Sequence, residues 1–176
     1  RIGEPQPPLN WIAIITMYNE DPELLEKTLE TLWNNVKTCN ERGMSEWHQI
    51  AVLIVVDNPP DRVVPIVEFC ADKLHLIPQK FKENVEDGFL EVEPGDEDSS
   101  HVFMNTLNKW GKTSLQIMMI IKPKNFGKVH SHALAFKGVA QRLDPKYVMM
   151  LDCGTMPNPD AMFVFQREFE SDFRCA

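Results

Sequence analysis

Two carboxylates stand at the ends of two strongly apolar runs. Tyr147–Asp152 (YVMMLD) finishes in Asp152 and turns at once into Cys153, Gly154 and Thr155. Ile50–Asp57 (IAVLIVVD) finishes in Asp57. An apolar run that delivers an acid into a turn suits a buried strand of a parallel sheet, and open α/β sheets bind ligands at the carboxyl ends of their strands. Asp152 could hold a divalent cation that in turn holds phosphate oxygens. Mg²⁺ takes one or two carboxylates and draws its other ligands from substrate and water, so a single Asp is adequate. Asp57 could accept a hydrogen bond from a uracil imide N–H. Each acid also has a plainer use: Asp152 as a cap of the Cys153–Thr155 turn, and Asp57 as a turn residue ahead of Asn58, Pro59 and Pro60.

Two further clusters fall at the same kind of junction. Thr16, Tyr18, Asn19, Glu20 and Asp21 lie where a first apolar run gives way to a helical pattern, so they could line a pocket for a base and ribose or simply cap the helix. Lys122, Lys124 and Lys128 flank Gly127 just after another apolar run and just before a helical pattern ending in Arg142. Ammonium groups beside a helix N-terminus suit a diphosphate, although a solvated basic loop is the ordinary fate of lysines. His130 and His132 are two apart and diverge on a helix, which disfavours a metal pair and leaves one of them as a wall of the site or a packed polar residue.

The elements that must position these groups alternate. Strands are expected over Trp11–Thr16, Ile50–Val56, Leu115–Ile121 and Tyr147–Leu151, with a shorter one from His101. A helix follows the first strand, with Asp21 as N-cap, Pro22 at the first helical position and Leu24, Leu25, Leu29, Leu32, Trp33 and Val36 on one face. Others are expected from about Val63 to Leu74, from His130 to Arg142 with Leu134, Phe136, Val139 and Ala140 inward, and after Asn158 and Pro159 with Met162, Phe163, Phe165 and Phe169 in the core. Met118, Met119, Met149 and Met150 are expected to fill the core within strands. Strand–helix alternation implies an α/β fold with a mostly parallel sheet and right-handed crossovers. Neither GxGxxG nor GxxxxGK[ST] occurs, so dinucleotide and P-loop sites lose their fingerprints.

Composition narrows the classes. A chain of 176 residues, 43% hydrophobic, can build roughly one domain with a core. A net charge of −8 argues against nucleic acid as a bulk electrostatic partner. The eight carboxylates between Glu83 and Asp98 contain no Lys or Arg among them, and residues 83–100 are expected to form an acidic surface loop. Cys39, Cys70, Cys153 and Cys175 show no metal or disulfide spacing, which favours a reducing compartment. No apolar run approaches the 18 or so residues of a membrane span. The chain, starting at Arg1, is expected to be a portion of a longer protein.

Four of these segments, in order, resemble the chitin synthases, processive and inverting family 2 glycosyltransferases. Ile15–Asp21 (ITMYNED) is similar to the family's TxYNED, Val55–Asp57 (VVD) to VSDG, Lys124–His132 (KNFGKVHSH) to KxxKINSH, and Leu151–Pro157 (LDCGTMP) to LDVGTxP. The last is the most specific, and the ordered set covers Trp11 to the C-terminus. The resemblance implies a GT-A, Rossmann-like fold over residues 11–176, truncated, after a short extension at 1–10. It implies transfer of N-acetylglucosamine from UDP-GlcNAc to a growing β-1,4 chain. Thr16, Tyr18, Asn19 and Glu20 would line the nucleotide pocket with Ser131 and His132, Asp57 would bind uracil, Lys128 would approach the diphosphate, and Asp152 would bind Mg²⁺ or Mn²⁺.

It further implies a membrane protein with this part in the cytosol, in the plasma membrane or transport vesicles, serving cell-wall chitin and able to form homo-oligomers. Three departures stand out. Asn58 replaces the glycine after Asp57; Leu134 stands where the family carries an aromatic; and the family's Glu-Asp pair, whose Asp is the general base, does not follow Asp160. That base is expected beyond Ala176, so this piece alone is expected to bind donor without polymerising it. The alternatives are a hyaluronan- or cellulose-type synthase, or a degenerate GT-A fold used for binding.

Overall fold

Strand β1 (Trp11–Met17) is buried at every residue. The computed structural model describes residues 8–57, 60–86, 100–122 and 125–172. β1 leads into α1 (Pro22–Glu41), followed by β2 (Ile50–Val56), α2 (Pro60–Asp72) and α3 (Gln79–Glu86). Then come β3 (His101–Leu107), β4 (Leu115–Ile121), a helical stretch, β5 (Tyr147–Asp152) and α6 (Ala161–Ser171). The helical stretch joins α4 (Lys128–Ala133), a π-helical segment (Leu134–Ala140) and α5 (Gln141–Leu143). The five strands form one sheet in the order β3-β4-β2-β1-β5, parallel except for β3, which runs antiparallel to β4. This is the Rossmann-like α/β architecture expected, and it agrees with a GT-A fold.

Side-chain alternation along β1 divides the core in two. Trp11, Ala13, Ile15 and Met17 join a large cluster with α1, α2 and α6, whereas Ile12 and Ile14 join Leu53, Val55, Ile120, Ala135, Val139 and Ala140 under the helical stretch. The α1 start is as expected: Asp21 caps the helix by accepting from the Glu23 N–H at 2.9 Å, and Pro22 opens the first turn. Leu25, Leu29, Leu32 and Val36 are fully buried on its inner face.

Several expectations are corrected. α2 runs from Pro60 to Asp72 rather than from about Val63 to Leu74, so Pro65 lies inside the helix. The acidic loop does not start at Glu83: residues through Glu86 belong to α3, which buries Val85 and packs Phe81 on the core. The remainder of that loop, 87–99, lies outside the described residues, as do Asn58, Pro59 and Lys124. Phe136 is exposed and Ala135 takes its inward place, because the wider π-helical turn shifts which residues face the sheet. β5 is an edge strand rather than a fully covered one, and Met150 is exposed. On α6, Phe165 and Phe169 face outward. The inward position goes to Gln166, which accepts from Trp11 Nε1 and Ser45 Oγ at 2.9 Å each. A buried indole N–H needs an acceptor, and that requirement overrides the bulk of the neighbouring rings.

Candidate functional site

Sheet register brings the chemistry to one edge. Thr16 pairs with Asp152, Met17 with Val56, and Val56 with Ile121. The next residues, Asp57 and Lys122, therefore emerge side by side; the Asp57 N–H donates to Met17 O at 2.8 Å and the Lys122 N–H to Val56 O at 3.1 Å. Here a cleft of about 390 Å³ opens, lined by Thr16, Tyr18, Glu20, Asp57, Lys128 and Asp152, with Gly127 and Ser131 in its wall. That volume suits a small-molecule ligand. A larger hollow of about 590 Å³ includes His48, Ala51 and Gln116 at the opposite, amino ends of β2 and β4. Size favours that hollow, but ligands on parallel sheets gather at the carboxyl edge, and the acids and ammonium groups converge in the smaller cleft.

Asp57 is 5% exposed and heavily committed. Its Oδ1 accepts from Lys122 Nζ at 2.7 Å and from the Phe126 N–H at 3.2 Å, and its Oδ2 accepts from Ser131 Oγ at 3.1 Å. Asp152 is also paired with a lysine but differs in burial. Its side chain is 65% exposed, and Lys128 Nζ sits 2.5 Å from Oδ1. The hydrogen bond from Lys128 holds its carboxyl below the usual range, with smaller help from His132 and Thr16. Lys128 stands at the helix start because Gly127 precedes it at φ 83°, ψ 166°, a conformation natural only to glycine.

The turn behind Asp152 is pinned by α1. The Gly154 N–H donates to Thr28 Oγ1 at 3.0 Å, and buried Asn35 bridges Asn158 O at 2.8 Å and the Met162 N–H at 2.9 Å. Gly154 itself holds φ 91°. Burial pushes the Cys153 thiol up to about 12, so it stands beside Asp152 as a protonated thiol at neutral pH.

Of the residues expected at the site, Thr16, Tyr18, Glu20, Asp57, Lys128, Ser131 and Asp152 share the cleft. Asn19 is exposed and does not line it. His132 lies in a small adjoining hollow with Thr16, Lys128 and Asp152. Glu20 accepts from the Tyr18 N–H at 2.5 Å and so shapes the loop as well as facing the cleft. Ser131 is fully buried, its hydroxyl taken by Asp57 and Lys122. Lys122, expected beside a diphosphate with Lys124 and Lys128, is 1% exposed and paired with Asp57 instead. The signal for it was present, since a cation directly after a fully apolar strand must find an anion nearby.

A divalent cation fits only in a limited sense. Among the described residues no group of three His, Cys, Asp or Glu side chains could hold a metal. Asp152 offers one ionised, exposed carboxylate, which suits an ion that takes its remaining ligands from a bound phosphate and water.

Comparison with known proteins accords with this geometry. A family model described as a chitin synthase-like glycosyltransferase domain matches residues 11–72 and 81–176. Chitin synthase 2 of Candida albicans is 28% identical over 185 aligned residues, covering 94% of this chain and 18% of that protein. Chitin synthase 1 of Saccharomyces cerevisiae is 29% identical, covering 91% of this chain and 15% of that protein. Chitin synthase A of Ampelomyces quisqualis is 27% identical, covering 93% and 19%. The chain thus spans less than a fifth of the length of these curated relatives. With the family model matched across nearly all of its described residues, the chain belongs to the chitin synthase-like glycosyltransferase domain family.

Proposed function

We propose that this chain is the donor-binding part of an inverting glycosyltransferase of the chitin synthase type, holding UDP-GlcNAc for transfer to a growing β-1,4 chain. The observation that carries this reading is the convergence of Asp57, Lys128 and Asp152 in one cleft at the carboxyl edge of the sheet. Asp57 supplies a buried acceptor for the uracil imide, and Lys128 supplies an ammonium for the diphosphate. Asp152 would hold Mg²⁺ or Mn²⁺, which adds positive charge where the leaving UDP becomes more negative. Tyr18 and Thr16 wall the pocket beside them.

Each cleft carboxylate among the described residues already has a donor partner: Glu20 the Tyr18 N–H, Asp57 Lys122, and Asp152 Lys128. This supports a donor site whose acceptor base is supplied from another part of the protein. No helix among the described residues is long and apolar enough to cross a membrane. On this reading the membrane attachment, the polymer-binding surface and any self-association belong to further segments, with this part facing the cytosol. The test is calorimetric titration with UDP and UDP-GlcNAc in Mn²⁺. Binding of both, with the cation-dependent part lost in Asp152→Asn, is the expected result; an Asp152→Asn protein that binds them as well as the parent would remove Asp152 from the site.

A further inference from the structure

The geometry points to Lys122 as a positioning residue that, with Ser131, turns Asp57 into a one-place reader of the nucleotide base. The inference rests on the reading of Asp57 as the base acceptor. A carboxylate offers about four acceptor directions. Three on Asp57 are filled: Lys122 Nζ at 2.7 Å and the Phe126 N–H at 3.2 Å on Oδ1, and Ser131 Oγ at 3.1 Å on Oδ2. Among the described residues, nothing uses the fourth, on Oδ2, while Asp57 lines the cleft. A single acceptor of fixed direction selects a ligand that presents one N–H, such as the imide of uracil.

Lys122 fits this role by its own surroundings. Its ammonium is 1% exposed and lies between Asp57 Oδ1, Ser131 Oγ at 3.1 Å and the face of Phe126 at 5.4 Å from the ring centroid. Buried in this way it cannot reach a solvent-borne phosphate, unlike Lys128 with its half-exposed side chain. Ser131 has one hydroxyl proton. It accepts from Lys122, so that proton goes to Asp57 Oδ2 at 3.1 Å rather than to Gly127 O at 3.5 Å. Lysine, serine and backbone N–H together fix the rotation of the carboxylate, and the three come from β4's end, α4 and the loop between them.

The experiment compares the affinity of the protein for UDP with that for N3-methyl-UDP, which lacks the imide proton but keeps the ring, ribose and diphosphate. The parent protein is expected to prefer UDP by about tenfold or more, the worth of a hydrogen bond to a charged group. In Lys122→Met, UDP is expected to fall to the affinity of the methylated analogue while the analogue is unchanged. General structural damage would weaken both alike, and that result, or an intact preference, overturns the proposal. Should Lys122→Met not fold, Ser131→Ala decides, because it leaves the ion pair in place. A preference reduced by about threefold with the analogue unaffected supports the proposal, and an unaltered preference or a parallel loss overturns it. A parent that binds UDP without preferring it to the analogue sinks the base-reading role of Asp57 itself, and this inference with it.

Discussion

At the residue scale, two aspartates that look alike in sequence are opposites in the folded chain. Asp57 is buried against a lysine, and Asp152 is exposed beside one. Asp57→Asn should keep the shape of the Lys122 contact and remove the charge. We expect it to fold and to lose most of its preference for UDP over ADP, measured by titration. Asp57→Ala should do more, because it leaves the buried Lys122 ammonium with neither its anion nor the acceptor oxygen that an asparagine keeps, which costs about 3–5 kcal/mol of stability; chemical denaturation would show it. At Asp152 the sign runs differently. Its folded-state pKa is depressed by Lys128, so the carboxylate stays ionised as pH falls through the ordinary range near 4. Any stability from the pair would be present above that range and lost only as pH drops through the depressed value, and between such exposed groups it is small. Lys128→Met should therefore shift the loss of Mn²⁺ binding to higher pH. It should also bind Mn²⁺ more tightly at neutral pH, since the competing ammonium is gone, while losing roughly ten- to a hundredfold in UDP affinity. A variant with an unchanged Mn²⁺ pH profile would contradict the pairing.

At the element scale, α1 does more than cover the sheet. Thr28 and Asn35 on its buried side hold the turn after β5, so the position of Asp152 depends on a helix that never enters the cleft. Asn35→Ala would strand the Met162 N–H and the Asn158 carbonyl and should cost about 1–3 kcal/mol in thermal or denaturant unfolding. Loss of less than a few tenths would show that the turn is held elsewhere. The strands were legible in the sequence because apolar runs of this length, bounded by acids and turn residues, have few other uses. The α1 start was legible from Asp21 and Pro22 for the same local reason. The inward faces of the later helices were not. A π-helical segment rotates the register around Phe136, and α6 turns Gln166 inward to satisfy Trp11 across 155 residues of sequence. Neither a change of helical pitch nor a long-range polar pairing leaves a periodic mark.

For the whole molecule, the parallel register makes the site. Three central strands and an edge strand end together, so residues scattered from Thr16 to Asp152 meet in one cleft. That convergence was readable from strand ends alone; which lysine served which acid was not, since Lys122 and Lys128 differ only in burial, a property of the assembled sheet. The family match extends across this framework, while the aligned part is less than a fifth of each of these relatives, so the proposed donor binding is what this chain can be asked to display. The decisive measurement is a titration with UDP, with and without Mn²⁺, set against ADP. The account predicts binding that is selective for UDP and stronger with the cation. Equal affinity for UDP and ADP, or no response to either with Mn²⁺ present, would contradict it.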